Sequence, residues 1–383
     1  MPENEQTPAI RFAGFTDDWE RRKAIGIFKA TADKGYPDLP VLSATQDRGM
    51  ILREETGINI AHDQKNEATY KRVLPGQFVI HLRSFQGGFA HSNAEGITSP
   101  AYTVLDFVET SSHCDWFWKY IFSSESFVKR LEAVTYGIRD GRSISYDDFS
   151  EMVFQFPGFD EQKSIGEAFV AFDALIALHQ REHDKTVNIK NAMLEKMFPK
   201  EGEDKPEIRF AGFTGPWEQR QLGKLCDEFR SGDFIKAIDI TQASGYPVYG
   251  GNGLRGFTKT YNHNGEFALI GRQGALCGNM QFTSGKAYFT EHAVAVRANN
   301  ENETRFLFYL LGTMNLGQYS GQSAQPGLAV RNLIELKTLV PVKTEQCKIS
   351  ALFANLDHLI TLHQRELEKL QNMKKALLEK MFV

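Results

Sequence analysis

The chain is written twice, and that duplication constrains its fold more than any other feature. The heptapeptide IRFAGFT stands at Ile10–Thr16 and again at Ile208–Thr214, each time with Trp-Glu close behind (Trp19-Glu20, Trp217-Glu218). A second repeat is longer. Pro157–Phe198 aligns without a gap on Pro341–Phe382, with about half the positions identical. Both copies contain LHQRE (Leu178–Glu182, Leu362–Glu366) and both end in LEKMF (Leu194–Phe198, Leu378–Phe382). The stretches between these matched parts differ in length and in sequence. A frame that recurs around two different inserts reads as two scaffolding halves bearing two payloads.

The long repeat carries a helical seam. Its core positions step by four and three: Ile165, Phe169, Phe172, Ile176, His179, His183, Thr186, Lys190, Met193, Met197, and in the second copy Ile349, Phe353, Leu356, Ile360, His363, Leu367, Leu370, Lys374, Leu377, Met381. A heptad pattern held this long is that of a coiled coil rather than of a globular helix. Each helix would run about 39 residues, roughly 58 Å. Asp160 and Thr344 stand where N-caps belong, with Pro157 and Pro341 just upstream. Pairing the two copies antiparallel buries both seams within one chain; packing each on a partner protein is the alternative. Phe169, Phe172, Ile176 and His179, with Phe353, Leu356, Ile360 and His363, are the candidate seam and partner residues. The two histidines read as a polar layer that sets register. PKEGEDKPE (Pro199–Glu207) is charged and apolar-free, a linker.

The organisation expected is therefore a lead-in motif (1–23), a first payload (24–155), a central long helix (156–200), a linker with the repeated motif (201–218), a second payload (219–340) and a C-terminal long helix (341–383). Each payload suits one compact domain. Both mix short strands (Phe78–Leu82, Tyr102–Leu105; Phe267–Ile270, Val294–Arg297) with helices (Trp116–Phe122, Glu125–Val134; Thr304–Leu311), giving an α+β fold: two globular domains on a long antiparallel two-helix coiled coil, with an internal pseudo-two-fold repeat.

The second payload is rich in glycine turns, YPVYGGNG, IGRQG and SGQSAQPGL. Glycine permits positive φ and close backbone approach. If these loops share a face, Asn252, Arg255, Arg272, Gln273, Gln322 and Gln325 are candidates for base contact, since arginine suits guanine while asparagine and glutamine suit adenine. Ordinary surface turns are the bland alternative. In the first payload HLRSFQGG puts Arg83 and Gln86 at a strand end, with Asn93 after it; Lys71 and Arg72 would meet phosphate. A solvated strand edge would look the same.

Several classes are set aside. The four cysteines, Cys114, Cys226, Cys277 and Cys347, lack metal-ligand spacing and suit thiols in a reducing cytoplasm. No apolar run approaches the ~20 residues of a membrane span, and the polar start MPENEQTPAI does not read as a secretory signal. The sequence lacks a Walker A stretch, an FxGxG-type loop and an NPPY-type tetrapeptide, so neither ATP hydrolysis nor methyl transfer is expected of this chain. Asp160, Glu161 and Lys163 imitate a nuclease ExK, but the matching Thr344-Glu345-Gln346-Cys347 loses the lysine. A net charge of −4 argues against a nonspecific nucleic-acid coat and leaves a local basic surface open.

In its order of parts the chain resembles the specificity subunits of type I restriction–modification systems. The likeness is carried by YPVYGGNG with IGRQG and AQPGL in the second half and by the repeated helices that contain LHQRE and end in LEKMF. It implies a non-catalytic, cytoplasmic, DNA-binding protein whose two target-recognition domains each read one half of a bipartite double-stranded sequence. The helices would then dock two modification (methyltransferase) subunits, with restriction (translocase–nuclease) subunits joining. S-adenosylmethionine, ATP and Mg would be held by those partners, and no cofactor or metal by this chain. A duplicated protein-binding scaffold without DNA affinity is the competing reading; a stand-alone nuclease or methyltransferase ranks third.

Overall fold

The computed structural model describes residues 8–45, 47–57, 64–80, 88–134, 144–274, 276–320 and 327–382. The chain divides into two compact units, residues 1–179 with 365–383, and residues 180–364. The division falls inside both long helices, α4 (Phe159–Lys196) and α7 (Lys343–Met381). The sequence treats each helix as a segment of its own, whereas packing gives each unit the start of one and the end of the other.

The seam explains this. In the first unit Ile165 and Phe169 are buried together with Met381 and Phe382. In the second, Ile349 and Phe353 are buried with Met197 and Phe198. Within each unit the helices run antiparallel. Phe169 meets Phe382 and, further along α4, Asp173 meets Lys374 at 2.5 Å. In the second unit Phe353 meets Phe198 and Asp357 meets Lys190 at 2.6 Å. All the predicted seam positions are buried or half-buried, His179 and His363 among them. The caps lie elsewhere than expected. Phe159 and Lys343 are already helical, so Asp160 and Thr344 occupy the first turn. The Gly158 and Val342 carbonyls accept the first helical bonds, from Gln162 and Gln346.

The first unit opens with β1 (Glu20–Lys23), paired antiparallel to β10 (Val153–Phe156). Its central sheet has the order β2-β9-β6-β7, from Phe28–Thr31, Thr103–Phe107, Phe78–Ile80 and Phe89–His91. Alternation along these strands separates two cores. Phe78, Ile80, Leu105 and Phe107 face a cluster containing Phe117, Trp118 and Phe122 of α1 (Asp115–Ser123), and Phe127 of α2 (Glu125–Val134). Val79, Val104 and Ala90 face a second cluster with Leu42, Met50 and Val73. Those three sit on the hairpin β3 (Leu42–Ala44)–β4 (Met50–Leu52) and on β5 (Lys71–Val73), which pairs with β8 (Gly96–Thr98). A parallel bridge from Val41 to Ile97 joins the two pairs, and α3 (Tyr146–Ser150) leads back to β10.

The second unit repeats this plan with other residues. β11 (Glu218–Gln221) pairs with β20 (Lys337–Val340). The central order β12-β19-β16-β17 comes from Cys226–Ser231, Ala293–Ala298, Phe267–Gly271 and Met280–Thr283. Ala268, Ile270, Val294 and Val296 face Phe306, Leu307 and Leu310 of α5 (Thr304–Thr313). Phe267, Leu269 and Ala295 face the other way, onto Ala287 and Phe289. That outer layer has the order β14-β13-β18-β15, from Gly253–Thr258, Tyr246–Gly250, Lys286–Phe289 and His263–Asn264, with β13 and β18 parallel. α6 (Val330–Ile334) stands where α3 does.

The repeated motif is a clamp. Arg11 makes a two-pronged ion pair with Glu161, both bonds 2.7 Å, and the Ile10 amide donates to the Lys380 carbonyl. Arg209 does the same to Glu345 at 2.6 and 2.8 Å, with Ile208 on Lys196. Both carboxylates are essentially buried. The stretch read as a linker is tied down at Trp217 N–H to the Asp204 carbonyl (2.7 Å) and at Lys196 to Glu207 (2.8 Å).

Candidate nucleic-acid interface

In the second unit two of the glycine turns, YPVYGGNG and IGRQG, meet at one edge. The β13–β14 hairpin turns at Gly250–Gly253, and its tip lies on the loop that follows β16. A side chain on Gly271 would strike the Gly251 carbonyl, and one on Gly278 would strike Gly317. Backbone therefore packs on backbone, which only glycine allows. The turns first serve the fold, and the side chains between them are what a ligand could meet.

Those side chains fall into two sets. Asn252, Arg255 and Gln273 are exposed, and none of the three side chains has a hydrogen-bond or ionic partner among the described residues. Arg272 is different. Its Nε donates to the Leu328 carbonyl (3.2 Å) and its Nη1 to Ser231 Oγ (3.2 Å) and the Glu291 carbonyl (3.4 Å). The guanidinium is half-buried and holds loops together, a task that sequence reading did not foresee. Gln322 and Gln325 lie outside the described residues. Two neighbours went unremarked in the sequence. Gln281 presents its amide oxygen to Gly253, and the partly exposed His292 has its carbonyl against Gly251. Neither stands in a motif; only the fold brings them to the tip.

In the first unit Arg83 and Gln86 lie outside the described residues, and Asn93 is exposed at a turn. The expected phosphate cations are engaged internally. Lys71 donates to the Tyr102 carbonyl at 2.6 Å, and burial, then Lys34, lowers its ammonium pKa. Arg72 bonds Glu95 at 2.8 Å and lies over the Tyr36 ring at 4.5 Å. The Glu95 hydrogen bond raises its pKa. Both side chains bind β5 to its surroundings, because a cation on a three-residue strand beside carbonyls and carboxylates finds a partner at home.

Beneath these surfaces each unit carries one polar triad. Tyr120 Oη donates to Asp173 (2.6 Å), which also receives Lys374 (2.5 Å). Tyr309 Oη donates to Asp357 (2.7 Å), which receives Lys190 (2.6 Å). Burial raises both phenols, and the facing carboxylate raises them further. One tyrosine from the payload thus seals onto one residue from each long helix. The signal was in the sequence as Phe-x-x-Tyr in both payload helices, Phe117–Tyr120 and Phe306–Tyr309. Gln162 and Gln346 form a second repeated joint, each accepting from the amide of the payload helix's N-cap residue (Cys114, Glu303) and donating to the Pro157 or Pro341 carbonyl.

No group of three or more His, Cys, Asp or Glu among the described residues is placed to hold a metal ion. No helix among them is long and apolar enough to cross a membrane.

Comparison with known proteins supplies the context. Residues 215–372 match the type I restriction modification DNA specificity domain. The chain is 44% identical over 146 residues to the type I restriction enzyme EcoprrI specificity subunit of Escherichia coli, a match covering 37% of this chain and 36% of that protein. It is 28% identical over 109 residues to a putative type I restriction enzyme specificity subunit of Haemophilus influenzae, covering 27% and 28%. These matches span only about a third of the relatives' own length. Over 98% of the chain the fold is similar to that of the type I restriction–modification S subunit from M. genitalium, with a TM-score of 0.68, 17% identity and 99% of that chain covered.

Proposed function

We propose, on the premise that this chain carries the type I restriction modification DNA specificity domain at residues 215–372, that each of its units reads one half of a bipartite double-stranded DNA target. The observation that carries this reading is the repetition of one head architecture with two different sets of edge loops. A frame kept constant beneath loops that vary is what two independent readers on one support require. In the second unit Asn252, Arg255 and Gln273 stand beside the glycine turns without side-chain partners among the described residues, with the side-chain chemistry suited to base edges.

The chain acts without catalysis of its own. Modification subunits supply S-adenosylmethionine and methyl transfer to adenine, and restriction subunits supply ATP- and Mg-dependent translocation and cleavage, in the cytoplasm. The helices offer those partners apolar footholds. Leu175 and Leu178 are 45% and 46% exposed, and their counterparts Leu359 and Leu362 are 44% and 40% exposed. Leucines left in water at matched positions on both helices suit docking of two copies of one partner.

Exchange of residues 219–340 for the corresponding segment of a related subunit tests this. In cells expressing the hybrid with its partners, methylome sequencing is expected to show one half of the methylated motif replaced and the other half and spacer retained. If both halves change together, independent reading fails; if no adenine motif depends on the chain, the DNA-reading function itself is excluded.

A further inference from the structure

The first unit's cations at Lys71 and Arg72 are occupied, so the part played by the Gly250–Gly253 tip in the second unit needs another residue. The shared topology says where it lies. The β3–β4 hairpin holds the place of β13–β14, and both tips rest on an edge strand of the inner sheet: Gly253 against Gln281 of β17, Gly49 against His91 of β7.

The tip in the first unit is well tied. The Thr45 amide and hydroxyl both donate to the Gly49 carbonyl, at 2.9 and 2.8 Å, and the Arg48 amide donates to Thr45 Oγ1 at 3.1 Å. Gly49 has φ of 71°, and a Cβ there would collide with the His91 carbonyl oxygen. The His91 ring is itself held by Asp115 at 2.7 Å. On this support Arg48 is exposed, and among the described residues its guanidinium makes a single long bond, Nη2 to the Glu55 carbonyl at 3.4 Å. Arg53, just past β4, is half-buried, and its Nε and Nη1 are buried without a partner among the described residues. Donors of a charged group held out of water and unpaired are costly, so this side chain gains by turning outward to an anion laid on the hairpin.

We propose that the β3–β4 hairpin is the DNA-reading finger of the first unit, with Arg48 determining specificity at a base and Arg53 anchoring a backbone phosphate. The inference rests on the function proposed above and names the element that performs it. Arginine's fork fits the paired acceptors of guanine in the major groove, whereas a phosphate contact adds affinity without sequence information.

The test uses the complex reconstituted with its modification subunits, and duplexes bearing the motif that the wild-type complex methylates, altered one base pair at a time. Arg48→Gln is expected to weaken cognate binding about tenfold or more and to abolish discrimination at one position of the half-site assigned to the first unit. Arg48→Lys keeps the charge and loses the fork, so it should lose discrimination while binding random DNA as wild type does. Arg53→Gln is expected to weaken all sequences in parallel and to lower the slope of log affinity against log salt by about one. Discrimination retained at every position by both Arg48 variants overturns the specificity assignment, and an unchanged salt slope in Arg53→Gln overturns the anchor. A wild-type complex that shows no sequence preference points instead to failure of the functional reading.

Discussion

The two units place the same layers in the same order with almost no sequence in common between their payloads. β6 is Phe-Val-Ile and β16 is Phe-Ala-Leu-Ile-Gly, yet each alternates one face toward a helix and the other toward an outer sheet. Alternation and apolar character are enough for this, because a buried position specifies volume and polarity more strictly than identity. Where the payloads meet the long helices the tolerance ends. Arg11 and Arg209, Gln162 and Gln346, Tyr120 and Tyr309 recur residue for residue, because a buried hydrogen-bonding group must find its one partner at the right distance. The difference teaches that the joints are what is copied and the heads are what is varied.

The comparison can be broken most directly at the clamps. Arg11→Met leaves Glu161 buried and uncompensated, and Arg209→Met does the same to Glu345. Each is expected to cost about 3–5 kcal/mol, read by hydrogen–deuterium exchange as faster opening confined to the unit that carries the substitution. Equal losses would establish the joints as equivalent; a loss that spread evenly through both units would refute the separate-clamp picture.

His113 sharpens the comparison from the other side, because its counterpart beside the payload helix of the second unit is Asn302. Burial, with Arg22 adding to it, pushes the His113 imidazole from 6.5 down to about 4. The folded first unit therefore prefers the neutral ring. The stability this brings is complete above about pH 6.5 and is lost as pH falls toward 4, by about 3 kcal/mol. Thermal unfolding of His113→Asn followed across that window should have a shallower pH slope than wild type. An unchanged slope would mean that other groups govern acid sensitivity.

The smallest of the three effects belongs to the triads. Tyr120→Phe and Tyr309→Phe each remove one hydrogen bond to a carboxylate that still keeps its lysine, so about 1.5 kcal/mol is expected from each. Urea denaturation of the two variants would check it, and a cost in only one unit would show that the two triads, alike in geometry, differ in what they hold.

Much was legible without coordinates. The duplication, the heptad seam and the two-payload order were read directly, because a helix is a local structure whose period is written in its own residues. The Phe-x-x-Tyr pair was equally present and passed unnoticed, since nothing local marks a tyrosine as a joint. The candidate cations could not be sorted in this way. Arg272 and Arg255 stand in equally glycine-rich surroundings, yet one is tied to three oxygens and the other has no side-chain partner among the described residues. Lys71 and Arg72 were the visible basic pair, and it is Arg48, in the unremarkable stretch before Gly49, that stands on an exposed tip.

What the sequence determined by itself was the frame: two long amphipathic helices, two copies of the clamp and two inserts of domain size. Tertiary structure decided which polar groups remain available to a ligand. The reason is physical. Helix periodicity is settled by neighbours three and four residues away, whereas the freedom of a guanidinium depends on carbonyls and carboxylates brought to it from distant parts of the chain, as Leu328 and Glu291 are brought to Arg272.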